Sequence, residues 1–223
     1  MTRSPAAALG SYTFGEEIAN ATTHGVAAAL SVAGLVLLIV NSVTHDASAL
    51  AVTSAVVFGV SMIVLYLIST LYHAVPNRRA KRVLQVLDHS AIYLLIAGSY
   101  TPFCLVTLGG ATGKVLCAVV WTIAIAGAAL QPLLLKAADW LNCVLYLSLG
   151  WCVVFVIKPL FEALPSGGLW LLAGGGAAYT VGVIFYLLDR MPFNHAVWHL
   201  FVLAGTALQF FAVLFYVIPS ASA

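Results

Sequence analysis

The sequence is poor in charge. Asp, Glu, Lys and Arg together make up 7% of its 223 residues, where an ordinary soluble domain carries about a quarter. With 63% hydrophobic residues beside that scarcity, a soluble globular domain is excluded and an integral membrane protein is implied. No basic face exists outside one short loop, so the net charge of +2 gives no reason to expect nucleic acid as a partner. Cysteine is sparse: Cys104, Cys117, Cys143 and Cys152 fall in apolar spans and form no C-x-x-C pair. They read as small buried hydrophobes, which excludes a disulfide framework and a Cys-rich zinc site.

Also missing is an apolar run near the amino terminus long enough for a signal peptide. MTRSPAAALGSYTFGEE is therefore expected to carry no cleaved targeting segment, the first membrane helix acting as the insertion signal. Internal repeats, low-complexity tails and connections long enough to fold alone are likewise absent, so residues 1–223 read as one transmembrane domain.

What the chain does contain is a series of apolar segments of membrane length. A hydrocarbon core about 30 Å thick needs about 20 such residues per helix. Seven segments qualify: Ile18–Val40, Ser48–Ala74, Val83–Leu108, Val115–Leu135, Trp140–Leu160, Leu169–Leu188 and His195–Ile218. The expected fold is all-α, a polytopic seven-helix bundle. Thr13-x-x-Glu16 has the pattern of a capping box ahead of the first span, and Asn194 is the expected N-cap of the last. Pro76 ends the second span, Pro165-Ser-Gly-Gly parts the fifth from the sixth, and Pro102 lies inside the third, where a kink is tolerable. Gly174-Gly175-Gly176 either permits close helix approach or weakens the sixth span.

Positive charge orients the bundle. If the loop with Arg78, Arg79, Lys81 and Arg82 is cytoplasmic, Arg3, Lys136 and Arg190 fall on the same side, leaving only Lys114 and Lys158 outside. The amino terminus is then cytoplasmic and the carboxyl terminus is on the other face.

Ionisable residues inside a membrane are costly and point to function. Glu17, Asn20 and His24 enter the first span on one helix face, at i, i+3 and i+7. Ser69 and His73 leave the second span stacked at i and i+4, Asp88 enters the third, and His195 and His199 open the seventh, again at i and i+4. All belong to the same half of the membrane. His45, in an outer loop, reads as solvated, and His89 should point about 100° away from Asp88, so both are left outside the site.

A His-x-x-x-His pair joined by a third imidazole from another helix makes a metal-binding face. Three histidines leave a fourth position for water, the pattern of a catalytic zinc site, at which the pKa of that water falls to about 7. Asp88 would orient water or act as general base, and Ser69 would bond a substrate carbonyl or developing oxyanion. Plainer readings stand beside these: a structural histidine pair, Ser69 bonded to its own helix, Asp88 paired with Lys81 or Arg82, and Glu17, Asn20 and His24 as a strut between helices. The cations at 78–82 serve as a topology anchor that also favours anionic lipid.

Three ordered motifs make the chain recognisable. Glu-x-x-Asn-x-x-Thr-His is matched by Glu17, Asn20, Thr23 and His24; Ser-x-x-x-His followed by Asp is matched by Ser69, His73 and Asp88; the opening His-x-x-x-His is matched by His195 and His199. With LDHSAIYLLIAGSYTP and MPFNHAVWHLFVLAG around them, the whole chain resembles the hemolysin III family, the bacterial branch of the progestin and adipoQ receptor (PAQR) superfamily. The resemblance implies zinc held by His73, His195 and His199, with Asp88 and Ser69 beside it, in a multi-pass protein of a bacterial plasma membrane. It also implies similarity to alkaline ceramidases, hence hydrolysis of a lipid amide or ester with membrane lipid as substrate. Competing expectations are a non-enzymatic membrane regulator, a cytolysin, or a purely structural zinc clamp. A pore formed by one chain is disfavoured, because the outer halves of the helices are nearly all apolar.

Overall fold

The computed structural model of the protein describes residues 12–188 and 190–221; Arg3 and the rest of the amino-terminal segment before Tyr12 lie outside the described residues. Helices dominate: α1 (Phe14–Thr44), α2 (Ala49–Ala74), α3 (Arg78–Pro102), α4 (Gly110–Leu134), α5 (Asp139–Gly150), α6 (Ile157–Ala163), α7 (Ser166–Leu187) and α8 (Asn194–Ala212). Among the described residues seven helical stretches are long and apolar enough to cross a membrane, α5 and α6 together forming the fifth.

Capping chemistry sets several boundaries. Thr13 and Glu16 form the expected reciprocal capping box at the start of α1. The basic segment is not a loop: Asn77 caps α3, its side-chain oxygen accepting from the backbone N–H groups of Arg79 and Ala80, so all four cations lie in the first turns of that helix. Asn194 does not cap α8. The preceding residue, Phe193, is left-handed at φ 56°, and the Asn194 amide turns back to donate to the carbonyls of Phe185 and Tyr186, tying the end of α7 to the start of α8.

Three membrane helices are irregular, the last of them closing in a π-helical turn at Val213–Val217. After Pro102 the chain continues as a π-helical turn, Phe103–Leu108, ending at Gly109, whose φ of 57° with ψ −160° is open only to glycine. The fifth span breaks after Gly150 into a 3₁₀ segment, Trp151–Val156, which the uniform apolarity of the sequence conceals. Irregular backbone at membrane depth needs partners inside the protein. Tyr100 of α3 supplies them: its hydroxyl donates to the Gly150 carbonyl at 2.6 Å and accepts from the Val153 N–H at 2.8 Å.

The core runs between α2, α3 and α8, with Phe58, Met62, Leu65 and Tyr66 packed against Ala91, Leu95 and Val202. Outward faces carry exposed Leu30, Val36, Ile125 and Phe155, the surface of a helix bundle immersed in lipid. Glycines allow α7 and α8 to touch backbone to backbone: a Cβ on Gly175 would stand 3.0 Å from the Gly205 carbonyl oxygen, so the glycine run serves close approach within an unbroken helix. Deep in this core the Thr206 hydroxyl joins the phenols of Tyr66 and Tyr179, each at 2.7 Å, and so links α2, α7 and α8. At one end of the bundle the starts of α1 and α8 meet, Phe193 N–H donating to Glu16, and the polar residues of α1, α2, α3 and α8 converge there.

Candidate metal centre

His73 ends α2, while His195 and His199 open α8 one turn apart. The two helices bring these imidazoles together: ring centroids are 5.1 Å apart for His73 and His195, 5.2 Å for His73 and His199, and 4.5 Å for His195 and His199. One ligand atom from each lies within 4.8 Å of the others, and all three residues are buried. Among the described residues no other group of histidine, cysteine and carboxylate side chains converges in this way.

The fit of a metal ion is tested by the polar atoms left over. His73 Nε2 and both ring nitrogens of His195 are buried with no hydrogen-bond partner. Such orphaned groups cost about 1–3 kcal/mol each, and one ion would satisfy His73 Nε2 together with one of the two His195 nitrogens, since each imidazole offers a metal a single ligand atom. The donor set of three neutral imidazoles suits zinc and other divalent transition metals.

The first motif braces these histidines. Glu17 Oε2 accepts from His73 Nδ1 at 2.7 Å, which fixes the ring and leaves Nε2 as the nitrogen open to a metal. His199 Nδ1 lies 3.2 Å from the Asn20 carbonyl oxygen and 3.1 Å from Thr23 Oγ1, so α1 orients that ring too. A carboxylate or carbonyl behind a metal-bound histidine sets its tautomer and raises its basicity. His24 stacks on His199, centroids 3.4 Å apart, and packs edge-on to Tyr66. Glu17 and Asn20 thus bond across to the histidines of α2 and α8, while His24, with neither ring nitrogen hydrogen-bonded, joins them by stacking alone.

Ser69 and Asp88 are buried, and with His24, His195 and His199 they line one cavity among α2, α3, α5, α7 and α8. Ser69 Oγ has no hydrogen-bond partner, so it is not bonded back to its own helix. Asp88 does not pair with Lys81 or Arg82; its Oδ2 lies 3.7 Å from Nδ1 of His89. His89 needs a correction as well, for although its ring is bonded to the Gln85 carbonyl one turn back, it forms part of the same cavity wall. His45 is exposed and remote, as expected. Beyond the polar end the cavity turns apolar, with Leu65, Ile92, Leu95 and Val202, and reaches the break in the fifth span at Gly150 and Trp151.

Sequence reasoning passed over three participants. Tyr12 packs its ring 5.1 Å from that of His195, Tyr186 lies 5.7 Å from the same ring, and Lys81 pairs with Glu17. The tyrosines carry no spacing signal, and Lys81 was masked by its three basic neighbours.

A seven-helix membrane protein with a buried tri-histidine centre at one end of the bundle is the class that fold and site define. Comparison with known proteins narrows it. The family model described as haemolysin-III related matches residues 12–210, and the chain belongs to that family, within the PAQR superfamily. It is 49% identical to Hemolysin-3 of Bacillus cereus over 207 residues, covering 93% of this chain and 94% of the relative. It is 46% identical to the Hemolysin-3 homolog of Bacillus subtilis (strain 168) over 205 residues, covering 92% and 96%. Similarity extends to the human Monocyte to macrophage differentiation factor, at 27% identity over 211 residues, 92% of this chain and 86% of that protein.

Proposed function

We propose that the protein is a zinc-dependent hydrolase of a lipid amide or ester bond, acting at the cytoplasmic face of a bacterial plasma membrane. The observation that carries this reading is the orphaned Ser69 hydroxyl and the buried Asp88 on the wall of an apolar cavity that also receives His195 and His199. A metal needed only to clamp helices would not require either group. When bound, zinc supplies Lewis acidity toward a carbonyl and activation of water.

The remaining work falls to the chain. Glu17 holds His73 by Nδ1, and the Asn20 carbonyl with Thr23 holds His199, so two of the three imidazoles are aimed before metal arrives. Ser69 Oγ donates to the substrate carbonyl as negative charge develops on it. Asp88 takes a proton from the attacking water and returns it to the leaving nitrogen or oxygen. The apolar stretch formed by Leu65, Ile92, Leu95 and Val202 holds the acyl chain and keeps bulk water out. Sidedness rests on the cations of α3, with Lys136 and Arg190 at the same end.

The test is metal analysis of purified wild type and His195→Ala together with fatty-acid release from a broad lipid panel. Loss of zinc and of product in the same variant is the expected result. Stoichiometric zinc with no product from any lipid would overturn the hydrolase reading. A second reading, membrane lysis, is favoured by the name of the Bacillus cereus relative. It predicts lysis of erythrocytes that survives His199→Ala, whereas lysis by lipid hydrolysis would disappear.

A further inference from the structure

The four cations that open α3 would be interchangeable if they served topology alone, and one of them is not like the rest. Arg78, Arg79 and Arg82 are exposed. Lys81 is folded inward, its side chain 12% exposed, with Nζ 2.5 Å from Glu17 Oε1 and 5.3 Å from the centre of the Tyr72 ring. The other oxygen of that carboxylate is the one bonded to His73. Its own helix does not favour this cation, because the first turn of α3 has no acidic residue and presents the positive end of the helix dipole. The attraction comes from the carboxylate on α1.

We infer that Lys81 is a positioning residue of the metal centre, the outer member of a Lys81–Glu17–His73 relay that draws on α3, α1 and α2. The inference rests on the metal reading proposed above. A glutamate side chain held by one oxygen can swing the other toward water. Donors on opposite oxygens fix its plane, and with it the imidazole whose Nε2 faces the ligand position. The ammonium also offsets the partial desolvation of Glu17, whose side chain is 16% exposed. Partners behind a metal-bound histidine typically change metal affinity about 10- to 100-fold. A group one bond further out belongs at the low end of that range, about tenfold.

The full chain, purified in detergent, provides the test, with Zn²⁺ affinity read by competition against a chromophoric chelator and the ligand field read from the visible band of bound Co²⁺. Lys81→Met should weaken zinc about tenfold and alter the Co²⁺ band, while Arg79→Met and Arg82→Met match wild type. Lys81→Arg should restore most of the affinity, and the affinity lost in Lys81→Met should exceed what its change in metal-free thermal stability accounts for. The double variant Lys81→Met/Glu17→Gln should bind no more weakly than Glu17→Gln alone, since both act through one bond to His73. Affinity equal to that of Arg79→Met, additivity with Glu17→Gln, or a loss that follows metal-free stability would each overturn the relay. A folded wild type that binds no zinc removes the metal reading and the relay together. Zinc bound equally by wild type and Lys81→Met removes the relay alone.

Discussion

The outer shell makes an ordered prediction: Glu17→Met should weaken metal binding more than Thr23→Val, although both residues contact a ring nitrogen of one of the three histidines. For Nε2 to face the metal, Nδ1 must carry the proton and needs an acceptor. His73 Nδ1 has one acceptor, the Glu17 carboxylate at 2.7 Å; the nearby Asn20 Nδ2 at 3.5 Å is itself a donor. Replacing Glu17 by methionine keeps the side-chain length, removes both the acceptor and the charge, and releases Lys81. A charge-assisted hydrogen bond contributes about 1.5–3 kcal/mol. At about 1.4 kcal/mol per decade, the expected loss is about 10- to 100-fold.

His199 Nδ1 is better supplied. Thr23→Val removes the hydroxyl at 3.1 Å but leaves the Asn20 carbonyl at 3.2 Å, so the ring keeps an acceptor. The lost bond is neutral, contributes about 0.5–1.5 kcal/mol, and converts to about 2- to 10-fold. Valine is nearly isosteric with threonine, and the other bonds of that hydroxyl run to Ala19 and Asn20 within the same helix, so the fold should persist. Chelator competition on the two purified variants and wild type measures the order directly. Equal losses, or a larger loss for Thr23→Val, would refute the assignment of Glu17 as the sole acceptor for His73.

Three further outcomes follow from the same geometry. Ser69→Ala should retain zinc and lose no stability, because its hydroxyl makes no hydrogen bond, while lipid hydrolysis falls about 10²-fold as for removal of an oxyanion donor; turnover and thermal unfolding in detergent check both halves. Asp88→Asn should likewise keep the metal while fatty-acid release drops about 10²- to 10⁴-fold, measured beside zinc content. Tyr100→Phe should leave zinc affinity unchanged but destabilise the bundle by about 2–4 kcal/mol, since it strips partners from the Gly150 carbonyl and the Val153 N–H; chemical unfolding in mixed micelles reads the loss.

The spans and the clustering of the His195/His199 pair were legible in the sequence because each rests on a periodicity. Twenty apolar residues make a membrane helix whatever their identity, and i, i+4 histidines share a face in any α-helix. The break at Trp151–Val156 was illegible for the same reason: composition reports burial in lipid and is silent on whether backbone bonds run to i−4 or i−3. Asn194 shows the limit of local signals. It has the residue type of an N-cap, but the end of α7 lies close by and offers open carbonyls, so tertiary contact took its side chain. His89 was set aside on the 100° rotation between neighbours, a correct angle applied to a cavity wide enough to receive both residues.

Lys81 was missed, and the particular partners of the first motif went unassigned, for a deeper reason. Sequence spacing reveals partners within one helix, whereas each brace of this centre crosses between helices: Glu17 to His73, Thr23 to His199, Lys81 to Glu17. Neither His73 nor His199 is oriented by its own helix. A metal here would therefore join α2 to α8 directly and draw on α1 and α3 to hold the rings, so binding is coupled to closure of that end of the bundle. This coupling alone would suit a structural clamp. It does not account for the open hydroxyl of Ser69 or for Asp88 on the cavity wall, placed where an acyl chain entering from the apolar side would bring its carbonyl. Catalysis asks for both groups, and that asymmetry between the two readings is what the Ser69 and Asp88 variants measure.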